Sequence, residues 1–187
     1  MRSFGVSFSV DGSRAALAGS VKHPAGVHVE LIDAMSGDLE TGVQSVAAWL
    51  AERWRQVAQI AISGQSWAAA LEQQLLDRGV PQTVIHVLSA PEVFASSSMF
   101  LDAVLESAKA VRDGDPPILT HPMGQDTDHL EASVAVCDKK LRIKTSGAWA
   151  WEATTADGDE TPIEAVSFAH WASRTSKRDP NRKQVLI

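Results

Sequence analysis

Acidic residues are concentrated at two places in the sequence where they could bind a divalent metal ion. Asp11 follows the first apolar segment, and Asp157, Asp159, Glu160 and Glu164 surround the start of the last one. Carboxylate oxygens are the ligands that Mg²⁺ prefers in proteins, and they also suit Mn²⁺. Either place could therefore contribute to a metal site, provided that folding gives the carboxylates a common partner.

Each place also has a simpler structural explanation. Asp11-Gly12 is the dipeptide typical of a tight hairpin turn, because both residues tolerate positive φ. The acids near residue 160 favour the N-terminus of a following helix through its dipole. Thr161 is suited to be the N-cap of that helix, and Glu164 would then lie on its surface.

Basic residues are concentrated in the last 14 positions, although the chain as a whole is acidic. The net charge of the chain is −6. Five basic residues and one acid give the last 14 positions +4, so the preceding 173 residues carry −10. The basic residues are Arg174, Lys177, Arg178, Arg182 and Lys183. This tail, residues 174–187, is either a solubilising terminus or an arm that contacts DNA phosphates, since non-specific DNA binding needs clustered Lys and Arg.

Two further groups of metal-ligand types are present. His121 and His129 flank the acids Asp126, Asp128 and Glu131, which indicates a metal site or, more simply, loop and helix-cap roles. The single cysteine excludes an intramolecular disulfide and a Cys-rich zinc site.

Composition and hydropathy predict one α/β domain over residues 1–173. Apolar residues make up 44% of the chain and charged residues 21%, as in ordinary globular proteins. Phe4, Val6, Phe8 and Val10 alternate with small residues, which predicts a half-buried strand. The segments 14–21 and 27–32 predict two more strands, so that the chain opens with a three-stranded antiparallel meander.

The spacing of apolar residues changes after this meander. It predicts helices over 46–57, 66–78, 91–113 and 124–138, strands at 60–62 and 83–88, a hairpin over 141–151, and a last helix from Thr161. Cys137 has helical spacing with Leu130 and Val134, which predicts a small buried side chain. Three antiparallel strands followed by parallel strands and flanking helices are the element order of a ribonuclease H-like mixed sheet.

Five segments make this prediction more specific: "FGVSFSVDGSRAALAGSV" at 4–21, "VHVELID" at 27–33, "IAISGQSWAAALEQQL" at 60–75, "ILTHPMGQDTDHLEASV" at 118–134 and "DGDETPIEAVSFAHWASRTSKRDPNRKQVLI" at 157–187. Together they resemble the C-terminal nuclease domain of the terminase large subunit of tailed phages, in the form found in actinobacterial phages and prophages. The resemblance covers nearly the whole chain and keeps its order.

The resemblance implies a bacterial cytoplasmic hydrolase that cuts concatemeric viral DNA during genome packaging. Its cofactors would be two divalent ions, Mg²⁺ or Mn²⁺, which clamp the scissile phosphate. Its partners would be double-stranded DNA, a terminase ATPase domain, the small terminase subunit and the portal, with no membrane. The phosphate-binding loop of a packaging ATPase is absent from this sequence.

The same resemblance assigns site residues and shows a departure from the family pattern. The family's three acidic positions correspond to Ser7 or Asp11, to Ser63, and to a residue among Asp159, Glu160 and Glu164. Asp11 lies ~13 Å along an extended strand from Ser7. Asp11 cannot reach a metal that lies opposite the middle of this strand, but it can be the ligand if the strand runs differently from the usual family member. On the resemblance, we expect Asp11, Asp159 and Glu160 to be catalytic, and these three with Glu164 to bind metal.

Three functions remain open on these residues. The first is an active metal-dependent endonuclease. The second, indicated by serine at positions 7 and 63, is a catalytically degenerate domain that binds DNA or another packaging protein. The third is a structural adaptor without DNA contact.

Overall fold

A central six-stranded mixed sheet organises the computed structural model, which describes residues 1–64, 67–122, 128–143 and 146–180. The strands are β1 (Arg2–Phe8), β2 (Arg14–His23), β3 (Gly26–Ser36), β4 (Val57–Ser63), β5 (Ile85–Val87) and β6 (Leu119–Thr120), in the spatial order β5-β4-β1-β2-β3-β6. The pairs β1–β2 and β2–β3 are antiparallel, whereas β1–β4, β4–β5 and β3–β6 are parallel. The ribonuclease H-like mixed sheet predicted from the sequence is confirmed.

Helices cover both faces of this sheet. They are α1 (Leu39–Arg53), α2 (Ala68–Asp77), α3 (Ala90–Asp113), α4 (Asp128–Val136) and α5 (Thr161–Thr175), and a two-stranded hairpin, β7 (Cys137–Ile143) and β8 (Ala148–Ala153), lies between α4 and α5 in the chain. On one face, Val46 and Leu50 of α1 and Leu71 of α2 pack on β1 and β4. On the other face, α5 packs on β1 and β2.

The prediction that β1 is half-buried is wrong, because α5 covers its second face. Ser3 and Ser7 are completely buried, whereas Val10 lies beyond the strand and is 74% exposed. The alternation identified one apolar face correctly. The other face carries small residues because the backbone of α5 lies directly against it: a Cβ atom on Gly5 would be 2.2 Å from the carbonyl oxygen of Ala165.

Two local predictions also need correction. Cys137 is the first residue of β7 rather than part of a helix, and it is half-buried. The hairpin therefore begins four residues earlier than the spacing indicated. The two-residue edge strand β6 gave no recognisable pattern. Of the helix expected over 124–138, residues 124–127 lie outside the described residues.

The division between a domain ending at residue 173 and a separate tail remains a prediction. The helix α5 continues to Thr175, so Arg174 belongs to its last turn. None of the helices in the described part of the chain is long and apolar enough to cross a membrane.

Candidate functional site

Two serines lie side by side where β1 and β4 end. Ser7 and Ser63 are partners in the parallel register of these strands. Ser7 is completely buried and Ser63 is half-buried. These are two of the positions at which the resemblance expects acids, and the fold brings them together at one edge of the sheet. Neutral hydroxyls occupy this edge instead of carboxylates.

Glu164 supplies the carboxyl group that completes this cluster. It lies in the first turn of α5, and the Ser7 hydroxyl donates a 2.6 Å hydrogen bond to its Oε2. Burial raises the pKa of Glu164 to about 7, and the charges of Glu160 and Asp159 act in the same direction. The Ser7 hydrogen bond and the Arg142 charge oppose this rise. The pKa of Glu164 is therefore well above that of an exposed glutamate when no cation is bound.

Asp159 and Glu160 immediately precede α5, and Asp159 has a capping role. Its Oδ1 accepts hydrogen bonds from the backbone N–H of Thr161, at 2.9 Å, and from the Thr161 hydroxyl, at 2.8 Å. The N-cap residue is Glu160, so the expectation that Thr161 is the N-cap is wrong. Because Asp159 and Glu160 both raise the pKa of Glu164, the three acids form one electrostatic cluster.

Asp11 lies in the turn between β1 and β2, three residues beyond the end of β1. Its carboxylate accepts hydrogen bonds from the Ser9 hydroxyl, at 2.7 Å, and from the backbone N–H and hydroxyl of Ser13. These hydrogen bonds lower the pKa of Asp11 to about 2. The geometry matches a turn residue. Within the described residues, no hydrogen bond joins Asp11 to the acids at α5.

Cations from two other elements lie close to the acidic cluster. Arg14, the first residue of β2, donates a hydrogen bond to the carbonyl oxygen of Gly158. Arg142 of β7 is 3.7 Å from Glu152, which also pairs with Lys140. Sequence reasoning did not identify this hairpin as part of the site. The signal was present in the run "DKKLRI" at 138–143, in which three cations follow one acid.

The histidines do not form a metal site in the described part of the chain. The Nδ1 atom of His121 lies 2.6 Å from the carbonyl oxygen of Pro122, and His129 faces a surface groove. Asp126 lies outside the described residues. Over the described ranges of the chain, no group of three or more His, Cys, Asp or Glu side chains could hold a metal ion, and this includes Asp159, Glu160 and Glu164 as they are arranged here.

The basic residues expected to bind DNA are at the other end of α5. Arg174 and Lys177 are exposed, whereas Arg178 is half-buried and donates to the carbonyl oxygen of Val57. Ten residues of helix, ~15 Å along its axis, separate Glu164 from Arg174. Arg182 and Lys183 lie outside the described residues.

Comparison with solved structures identifies the fold. The nuclease domain of the g2p large terminase from bacteriophage SPP1, with bound Mn, superposes with a TM-score of 0.53 at 14% sequence identity, over 90% of this chain and 84% of that one. The human cytomegalovirus terminase nuclease domain, Mn-soaked and inhibitor-bound, also gives 0.53, at 10% identity over 89% and 81% of the two chains. No family model and no curated protein matches the sequence. The chain therefore has the ribonuclease H-like fold of the terminase nuclease domains.

Proposed function

We propose that this chain acts as a terminase nuclease domain whose substrate is double-stranded DNA, which it cuts with Mg²⁺ or Mn²⁺ during viral genome packaging. The observation that carries the proposal is the cluster at the ends of β1 and β4. Glu164 accepts a hydrogen bond from Ser7 there, Ser63 is the register partner of Ser7, and the charges of Asp159 and Glu160 act on Glu164. The two terminase nuclease domains compared above were solved with bound Mn and after soaking in Mn, respectively.

The donor set of the cluster does not fit a complete two-ion site. Two ions bring four positive charges, and serine hydroxyls at positions 7 and 63 supply no compensating negative charge. Asp159 already accepts two hydrogen bonds from Thr161. Both hydrogen bonds are to Oδ1, so Asp159 can still bind a cation through its other oxygen. Asp159, Glu160 and Glu164 together supply at most three negative charges, and burial favours the neutral form of Glu164.

The two serines favour a second candidate function, in which the domain binds DNA without cutting it. The fold and the basic residues would be retained, and the chemistry would be lost at Ser7 and Ser63. A packaging protein could replace DNA as the binding partner.

Incubation of the protein with supercoiled plasmid and Mn²⁺ tests the first function against the second. Cutting should be lost in Glu164→Gln and retained in Glu40→Gln, a control on an exposed position of α1. Intact plasmid at high concentrations of folded protein would exclude cutting. DNA binding under the same conditions would then support the second function, and its absence would overturn both.

A further inference from the structure

Cations from four segments of the chain meet at the end of the sheet opposite the acidic cluster. We name this surface the basic end and define it by Arg2, Lys22, Arg55, Arg174, Lys177 and Arg178, of which all but Arg178 are exposed. We infer that the basic end is a binding surface for the DNA backbone, separate from the cluster around Glu164. This inference rests on the proposed function in taking DNA as the ligand.

The sheet holds the first part of this surface together. Arg2 of β1 is the register partner of Val21 in β2 and of Val57 in β4. Its Nη1 donates a 3.1 Å hydrogen bond to the side chain of Gln56, the residue after Arg55. The three strands span ~10 Å. Lys22 follows Val21, the register partner of Arg2, so Arg2 and Lys22 lie on opposite faces of the sheet and border its end from the two sides.

The end of α5 adds the second part. Arg178 donates to the carbonyl oxygen of Val57, and Ser176 donates a 3.3 Å hydrogen bond to that of Ala58. The guanidinium carbons of Arg178 and Arg55 lie 5.8 Å and 4.9 Å from the centre of the Trp54 ring. Contact with the ring restricts both guanidinium groups before any ligand binds, which reduces the entropy lost on binding.

Lys22 and Arg174 extend the surface around a cavity of about 730 Å³, which both residues line. Asp102 and Glu106 of α3 also line this cavity, so the positive surface is bounded there by acids. On the other side, Glu52 is paired with Arg53 at 2.9 Å. Between these two boundaries the cations outnumber the acids. Asp179, which follows Arg178 in the sequence, is an acid close to these cations.

The ligand chemistry follows from the kind and position of these groups. Arg and Lys contact phosphate oxygens without reading base sequence, and a DNA duplex carries one negative charge per about 1.7 Å of its axis. From Ser63 to Val57 the strand β4 covers ~20 Å, or about six base pairs of duplex. The α5 helix is buried between the two ends. One phosphate group cannot contact both the acidic cluster and the basic end. The basic end would therefore bind a different part of the duplex from the part that lies at the acidic cluster.

A salt titration of DNA affinity tests this surface. The protein is titrated into a fluorescent duplex of about 30 base pairs, in EDTA so that no cleavage occurs, at several salt concentrations. In the variant Arg2→Gln/Arg55→Gln, the negative slope of log affinity against log salt concentration should become shallower by about two. Binding at low salt should weaken at least tenfold. The control Lys109→Gln/Arg112→Gln removes the same charge from exposed positions on α3 and should leave the slope unchanged.

A second pair, Lys22→Gln/Lys177→Gln, makes the test independent of any folding defect in the first, and melting curves monitor folding in both. Reduced slopes in both pairs support the inference even if the wild-type protein cuts no DNA. Slopes equal to that of the control would overturn the inference, even if the protein cuts DNA. An acidic protein surface would then be the alternative partner of the basic end. Absence of DNA binding by the wild-type protein overturns it too.

Discussion

The hydrogen bond between Ser7 and Glu164 joins residues 157 positions apart and defines the chemistry of the acidic cluster. The serine hydroxyl can donate to either form of the carboxyl group. Burial is the main cause of the raised pKa of Glu164; the Ser7 hydrogen bond opposes it, and the charges of Glu160 and Asp159 add to it. A second buried titratable group, His170, lies on the same helix, and burial together with the Arg174 charge lowers its pKa to about 4.

These two groups should affect stability in opposite directions with pH. Glu164 keeps its proton in the folded state up to about pH 7, so its contribution to stability is present below pH 4.5 and lost as pH rises towards 7. The pKa of His170 falls from 6.5 to about 4 on folding, so its contribution is lost as pH falls from 6.5 to 4. Together they predict little net change in the wild-type protein between pH 4.5 and 6.5.

Single substitutions should reveal each slope. Urea unfolding in metal-free buffer should show stability rising with pH in Glu164→Gln, and falling with pH in His170→Leu. Each change should approach about 2–3 kcal/mol across the window. If both variants keep the wild-type dependence of stability on pH, the pKa values of Glu164 and His170 do not change on folding as described.

The serines at the ends of β1 and β4 lead to a second prediction at this scale. Ser63→Asp adds a carboxylate at a half-buried position beside the acidic cluster, and we expect the affinity for Mn²⁺ in calorimetry to rise roughly tenfold, about 1.4 kcal/mol. Ser45→Asp, on the exposed face of α1, is the matched control and should change nothing. Equal Mn²⁺ affinities in the two variants would show that this edge of the sheet does not face a metal site.

Ser7→Asp should behave differently because Ser7 is completely buried. A second carboxylate in contact with Glu164 should destabilise the metal-free protein by about 3 kcal/mol, measured by urea unfolding. Mn²⁺ should recover part of this loss if the two carboxylates bind it.

At the scale of elements, the close approach of α5 to β1 depends on a residue without a side chain. A Cβ atom on Gly5 would lie 2.4 Å from the backbone nitrogen of Ala169, and neither backbone can move independently of its sheet or helix. Gly5→Ala should therefore lower the free energy of unfolding by about 3 kcal/mol or more in urea.

Gly42 provides the control for this substitution. It lies in α1, and a Cβ atom there would be 3.4 Å from the sulfur of Met35, a flexible side chain. Gly42→Ala should be neutral or stabilise the protein by up to about 1 kcal/mol, because alanine favours helix more than glycine does. A Gly5→Ala variant as stable as Gly42→Ala would mean that α5 packs further from the sheet.

Over the whole molecule, Arg178 connects the two layers. The chain leaves α5 on one face of the sheet, and Arg178 then contacts Trp54 and Val57, which follow α1 on the other. Arg178→Gln should lower stability by about 1.5–3 kcal/mol in urea, since it removes a charged donor to a backbone carbonyl. Lys177 is the exposed neighbour, and the free energy of unfolding of Lys177→Gln should stay within about 0.5 kcal/mol of the wild type. Equal losses of stability in the two variants would show that Arg178 does not connect the two layers.

The sequence was sufficient to predict the fold class and the order of the longer elements, because apolar periodicity and turn dipeptides such as Asp11-Gly12 are local signals. It was insufficient for the site. Which acid meets Ser7 depends on how α5 crosses the sheet, and the burial of Ser7 reflects packing by that distant helix. A two-residue strand such as β6 is too short to carry a periodic signal.

The position of α5 also constrains the order of folding. The first strand of the chain is covered on one face by a helix that begins at Thr161. Before that helix arrives, Ser3 and Ser7 and the backbone around Gly5 face water on that side of the sheet. Such long-range contacts slow the folding of a domain. A nascent chain would therefore hold an open, incomplete sheet until α5 docks, and the acidic cluster would assemble only in that last step.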